Sequence, residues 1–180
     1  MAIKIGDSAV KFSLANANGR LGGQSLSLEQ SMRSNGLVIV FECNHCPYVI
    51  ASVERMNQMA EYCQENEIGF VGINSNDASV YANDSYEHMV KRAEKGMPYP
   101  YLYDETQEIA HAYGAKRTPE FFLFGGDGNL VYRGRMDDSP KDPSQVSSTD
   151  LQDAIDAMLA GDGPTIAETD SIGCSVKWKA

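Results

Sequence analysis

Hydrophobic residues along this chain follow two patterns, short unbroken runs and a stripe that recurs every three to four positions. Leu37-Val38-Ile39-Val40-Phe41 is unbroken, as in a strand covered on both faces. Beyond Pro47, apolar side chains fall at Val49, Val53, Met56, Ala60 and Cys63, spacings of 4, 3, 4 and 3 that predict one face of a helix. Pro47 stands in the first turn of that helix, where its missing N–H costs nothing. Ile68 to Ile73 reads as a second strand and Asn74 to Asp77 as the turn leaving it. Residues 83–96 are polar and compatible with a helix, stopped by Gly96 and Pro98. Tyr99 to Tyr103 is a short extended aromatic piece, and Glu105 to Tyr113 another helix ending at Gly114. Glu120 to Phe124 and Asn129 to Arg133 are strands around the turn Gly125-Gly126-Asp127-Gly128. Thr149 suits the N-cap of a last helix, Asp150 to Ala160, closed by Gly161. Residues 1–35 are rich in Gly, Ser and Asn, and alternation at Val10, Phe12 and Leu14 predicts an N-terminal hairpin or edge strands.

Strands alternating with helices imply parallel crossovers, and the closing hairpin adds an antiparallel pair. The predicted class is therefore α/β, a mixed central sheet between helix layers. At 180 residues, one domain with a sizeable core is expected. No internal repeat or low-complexity linker divides the chain, so the expectation is a domain over residues 1–160 and a tail over 161–180 packed on it.

Apolar residues make up 42% of the chain, within the range of an ordinary globule. A net charge of −10 makes nucleic acid and anionic membrane surfaces poor partners. The apolar runs are too short to span a bilayer, and the first ten residues lack the apolar core of a secretory leader, so a cytoplasmic location is expected. Gly125-Gly126-Asp127-Gly128 lacks the Lys-Ser/Thr of a phosphate loop, and no cofactor is expected.

The four cysteines, at 43, 46, 63 and 174, form no dense disulfide framework. Cys43-Asn44-His45-Cys46-Pro47 instead places two thiols three positions apart between the buried strand and the helix. Free N–H groups and the positive end of the helix dipole favour a thiolate there, which can bring a cysteine pKa from about 8.5 into the range of roughly 3.5–7.5. Such a pair suits disulfide exchange. Its alternatives are a structural disulfide or a metal site, and tetrahedral zinc would need two further ligands, for which Cys174 and one histidine are available. Cys63 falls on the apolar helix stripe and is expected to be structural.

CxxC after a buried strand, Thr118-Pro119 just before Glu120–Phe124, and the closing hairpin plus helix together resemble the thioredoxin-fold superfamily. The long span between the second strand and Pro119 is similar to the insertion of its redoxin branch, which includes peroxiredoxins and membrane-tethered thiol oxidoreductases. More narrowly, CNHCPYV, NSND at 74–77, PYLYDETQEIAHAYGA, TPEFFLF, YRGRMDDS and IGCSVKW look like an uncharacterised bacterial peroxiredoxin-like thioredoxin family, a likeness covering nearly the whole chain. The resemblance implies a cis bond before Pro119, packed against the CxxC and shaping the substrate groove. It implies Cys43 as nucleophile, nearer the helix entrance and more exposed, with Cys46 as the resolving thiol. Substrates would be disulfide-bearing proteins or small-thiol disulfides, with a thiol reductant or reductase supplying electrons.

Around the pair, His45 either stabilises a thiolate as an imidazolium or merely fills the turn. Glu42 is expected at a solvent-facing strand end, with a role as proton acceptor for Cys46 as the alternative, and Arg117 is placed to counter it. Cys174 is either a third thiol, relaying when the tail folds over the CxxC, or a small residue that docks the tail with Trp178 as anchor; docking is the favoured reading. Two other function classes stay open. A thiol peroxidase resembles Pro-x3-Thr-x2-Cys, but Ile39 and Cys43 occupy the Pro and Thr positions. A non-catalytic metal- or protein-binding module is the second.

Overall fold

Residues 2–180 are described by a computed structural model. In chain order the elements are β1 (Ser13–Asn16), β2 (Ser25–Ser27), the one-turn α1 (Leu28–Ser31), β3 (Gly36–Phe41), α2 (Pro47–Glu65), β4 (Ile68–Asn74), α3 (Tyr86–Ala93) and β5 (Tyr101–Tyr103). They continue with α4 (Glu108–Tyr113), β6 (Arg117–Thr118), β7 (Glu120–Gly125), β8 (Leu130–Gly134), α5 (Asp150–Leu159) and β9 (Cys174–Ser175).

Six consecutive residues of β3 are buried, as the unbroken run requires. Its alternate side chains enter different layers. Val38 and Val40 pack with α2, α3 and α5 through Met56, Ala60, Met89 and Ile155. Leu37, Ile39 and Phe41 pack on the other side with α4 and the N-terminal segment, through Ala110, Tyr113 and Phe12. β3 pairs antiparallel with β7, and β7 with β8, giving the order β3-β7-β8. The remaining strands run β2-β1-β5-β4, with β4 and β5 parallel and the N-terminal hairpin antiparallel. At the end of β3 the Glu42 N–H donates to the Ile73 carbonyl of β4 at 2.9 Å. This is the expected thioredoxin fold, with α3, β5 and α4 lying between β4 and Pro119.

Two helices are shorter than their polarity patterns predict. The segment 83–96 begins as a 3-10 turn, Ala82–Asp84, and Ser85 then caps α3 by accepting from the His88 N–H. The next helix starts at Glu108, because Gln107 is left-handed at φ +67° and the Asp104 carboxylate takes the Ala110 N–H at 2.9 Å. Thr149 is the N-cap residue of α5, but its hydroxyl bonds the Asp153 side chain at 3.1 Å instead of a backbone N–H. Among the described residues, no helix is long and apolar enough to cross a membrane.

The last residues are tied down by backbone pairing. β9 runs antiparallel to β6, with Cys174 opposite Thr118 and Ser175 opposite Arg117. Val176 N–H donates to Lys116 O at 3.0 Å, and Lys177 N–H to Asn76 Oδ1 at 2.9 Å. The Gln107 side-chain amide donates to both Ser75 O and Lys177 O and so helps to clamp the tail. Trp178 is 40% exposed and stacks on His111, ring centroids 4.1 Å apart.

Candidate active site

β3 runs straight into the CxxC turn, and Cys46 itself is the N-cap of the 19-residue α2, with Pro47 at its first position. Cys46 therefore stands nearest the free N–H groups and the positive end of the helix dipole. The expectation that Cys43 is nearer the helix entrance and more exposed is not met, since both cysteines are 0% exposed. Pro47 is exposed and shapes the site only by starting the helix.

The Thr118–Pro119 peptide is cis, and both residues are buried beside the cysteines. Thr118 is the hub of the sulfurs. Its hydroxyl lies 3.7 Å from Cys43 Sγ, its carbonyl oxygen is 3.4 Å from Cys46 Sγ, and Cys174 pairs with its backbone. Cys46 Sγ and Cys174 Sγ are 2.7 Å apart, and all four cysteines are free thiols.

These contacts polarise the pair. A hydrogen bond from the Cys43 thiol, seconded by one from Cys174, outweighs burial and lowers Cys46 to about 4. Cys43, as the donor, is pushed strongly up by that bond, by burial and by the nearby Asp84 charge. The pair thus shares one proton, with the charge favoured on Cys46 and the proton on Cys43. In the unfolded chain Cys46 would keep its proton up to its ordinary 9.0. The stabilisation it contributes is complete above 9.0 and is lost as pH falls through about 4. The reduced protein should accordingly show thiolate absorbance at neutral pH that disappears near pH 4 and is absent in Cys46→Ser. Its melting temperature should gain on that of Cys46→Ser as pH rises from about 4 toward 9. Thiolate absorbance that appears only near pH 9 would remove the polarised pair.

Asp84 is a site residue that the sequence does not single out. It comes from the 3-10 turn after β4 and is fully buried. Its carboxylate takes the Asn44 N–H at 2.7 Å and the Asn76 amide at 2.9 Å, and lies 2.5 Å from His45 Nδ1 without a well-directed hydrogen bond. The NSND stretch thus has a structural task, because Asn74 and Asn76 hold the Asp84 turn and Asn76 also holds the tail. His45 is more than a filler: it faces Asp84 and stacks on Tyr81. Cys43 Sγ, a His45 ring nitrogen and an Asp84 oxygen lie within 4.8 Å of one another, three donors able to hold a metal ion.

Glu42 is not at a solvent-facing strand end. It is 0% exposed, 2.6 Å from Arg92 Nη1 of α3, and accepts from the Tyr99 hydroxyl at 2.7 Å. Gly72 makes room for it, because a Cβ there would collide with Glu42 Oε2. The carboxylate is committed to these groups rather than to Cys46. Arg92 also donates to the Cys43 carbonyl at 3.2 Å, so the pair fixes the backbone of the CxxC turn. Arg117 is not the counter-charge. It is exposed, and its guanidinium donates to Gly173 O at 3.3 Å on the tail.

A cavity of about 920 Å³ opens on the Cys43 side. One wall is apolar, Val49 and Val53 of α2, and the opposite wall carries Lys91, Arg92 and Lys95. Cys46, by contrast, lies under the tail. Cys63 is fully buried on the apolar face of α2, and burial pushes its thiol up to about 12, as a structural cysteine requires.

A family model described as Redoxin matches residues 4–151. Among solved structures, an uncharacterised conserved protein from Geobacillus kaustophilus is 43% identical, TM-score 0.90, over 98% of this chain and 93% of that one. A hypothetical protein from Sinorhizobium meliloti is 35% identical, TM-score 0.89, over 100% and 97%. Peroxidoxin BcpB from Mycobacterium tuberculosis is 20% identical, TM-score 0.63, over 88% and 97%, a likeness of fold. No curated protein matches.

Proposed function

The chain belongs to the Redoxin family, and on that premise we propose that it is a thiol–disulfide oxidoreductase working through a Cys43/Cys46 dithiol–disulfide couple. The observation that carries this reading is the division of labour between the two sulfurs: Cys43 lines the cavity, while Cys46 holds the negative charge behind it. A substrate disulfide entering the cavity meets Cys43 first. The Cys43/Cys46 pair shares one proton, and in the form that carries it on Cys46 the Cys43 thiolate attacks one substrate sulfur, forming a mixed disulfide and releasing the other sulfur as a thiolate. That thiolate takes the proton from Cys46. Cys46 then attacks the Cys43 sulfur, closing the Cys43–Cys46 disulfide and releasing the second substrate sulfur as a thiolate, which takes its proton from water. Two electrons pass from the dithiol to the substrate, and an external thiol reductant or reductase in the cytoplasm restores them.

The substrate is a disulfide-bearing protein or a small-thiol disulfide. Thr118, held by the cis bond to Pro119, sits beside the sulfurs, and the Glu42–Arg92 pair keeps the Cys43 backbone in place. Trapping tests the order of events. Cys46→Ser incubated with an aromatic disulfide probe should hold one probe thiol on Cys43, read as a mass adduct on the Cys43 peptide. An adduct found only elsewhere, or none, would remove the assignment of Cys43.

The Cys43–His45–Asp84 triangle favours a second reading, a divalent metal held by thiolate, imidazole and carboxylate. Metal analysis of the purified protein separates the two. Stoichiometric zinc that resists chelators would favour the metal module, whereas a metal-free, readily oxidised pair favours the redox centre.

A further inference from the structure

We propose that Cys174 is a third redox thiol of this site, exchanging disulfide partnership with the CxxC pair through Cys46. Three observations carry it. First, Cys174 Sγ lies 2.7 Å from Cys46 Sγ, so a shift of roughly 0.7 Å reaches the ~2.05 Å of a disulfide bond. Second, the tail is built to hold that sulfur in place. β9 pairs Cys174 with Thr118, the residue whose hydroxyl and carbonyl already contact Cys43 and Cys46. Gly173 permits the approach, because a Cβ at that position would run into the Thr118 carbonyl. Asn76, Gln107 and Asp77 fasten the following residues, with Asp77 N–H donating to Lys177 O at 2.8 Å. Third, Cys174 is only half-buried, whereas Cys46 is not exposed at all, so the tail connects an interior sulfur with the surface.

The step balances without an added oxidant. Starting from the Cys43–Cys46 disulfide, the Cys174 thiolate attacks the Cys46 sulfur. The Cys46–Cys174 bond forms, the Cys43–Cys46 bond breaks, and Cys43 leaves as a thiolate that takes up the proton Cys174 gave away. No electrons are gained or lost by the chain. In the reduced protein, burial first and then the Cys46 thiolate hold the Cys174 thiol up at about 11. Once Cys46 is in a disulfide its charge is gone, and that part of the restraint goes with it. The result is a site that keeps its oxidising equivalent on the tail while Cys43 again faces the cavity as a thiol. This relay rests on the dithiol reading for the source of its disulfide, but the Cys46–Cys174 bond can form without Cys43.

The full-length protein, its Cys43→Ser variant and its Cys174→Ser variant are oxidised with glutathione disulfide, alkylated, digested and mapped by mass spectrometry. The expected result is both Cys43–Cys46 and Cys46–Cys174 links in the unaltered chain. Cys43→Ser should show the Cys46–Cys174 link alone, with two alkylatable thiols lost, and Cys174→Ser the Cys43–Cys46 link alone. The relay is overturned if Cys46–Cys174 appears in neither the unaltered protein nor Cys43→Ser while Cys43–Cys46 forms normally. That outcome leaves the proposed oxidoreductase standing. Both disulfides without turnover on any disulfide would do the reverse, sparing the relay and removing the enzyme. The map of the unaltered protein stands even where a variant fails to fold.

Discussion

Cys43→Ser is expected to lose disulfide-reductase turnover by at least about 10³-fold, the scale on which removing a nucleophile is read. A serine hydroxyl does not ionise at neutral pH, and Cys46 cannot take over the first attack. The charge on Cys46 is available, but its sulfur is under the tail and against the Thr118 carbonyl, whereas the 920 Å³ cavity ends on Cys43. The variant should fold, since serine is close in size and the surrounding strand, helix and Thr118 contacts are unchanged. Circular dichroism and the melting curve check that. Turnover within tenfold of the unaltered protein would contradict the role of Cys43 and shift the reaction to the Cys46–Cys174 pair.

Arg92→Met is expected to lower stability by about 3–5 kcal/mol, the usual result of removing one partner of a buried ion pair. Glu42 is fully buried, and Arg92 is its only cationic contact among the described residues. Without the guanidinium, the carboxylate keeps the Tyr99 hydroxyl but no counter-charge. The Cys43 carbonyl would also lose its donor, so the same change should slow turnover. Glu42→Gln/Arg92→Met removes the stranded charge and should recover much of the stability, giving a coupling energy that a double-mutant cycle measures. Chemical denaturation of the four proteins supplies the numbers. A single-variant loss below about 1 kcal/mol would mean that the pair is not the restraint described here.

How much of this was legible in the sequence follows the range of each signal. The buried β3 run, the apolar stripe of α2 and the closing hairpin are local and periodic, and each forms where its pattern places it. The CxxC turn was visible as a short motif at an element boundary, whereas the cis Thr118–Pro119 bond was implied by the thioredoxin-fold resemblance. The starts of α3 and α4 were missed because they are decided by side-chain bonds, Ser85 and Asp104, that no hydrophobic period reports. The polar layer around the sulfurs was not legible at all. Asp84 sits in a stretch that reads as a solvated helix, yet it is buried by Asn44, Asn76 and His45 from other parts of the chain. Glu42 looked like a strand end because nothing in the sequence links it to Arg92, fifty positions away, or to the gap left by Gly72. The polarity of the thiol pair was also hidden, since it depends on contacts among Cys43, Cys46 and Cys174, and the last of these comes from the distant tail.

The most direct measurement is the reduction potential of the Cys43–Cys46 couple, by equilibration with glutathione buffers and a mass-shift readout. Stabilising the Cys46 thiolate stabilises the reduced form, so the expected potential lies above the roughly −270 mV of thioredoxin, toward the oxidising end of the scale. A pair that forms no interconvertible Cys43–Cys46 disulfide at any glutathione ratio would contradict the dithiol centre and leave the metal-binding triangle as the function of the site.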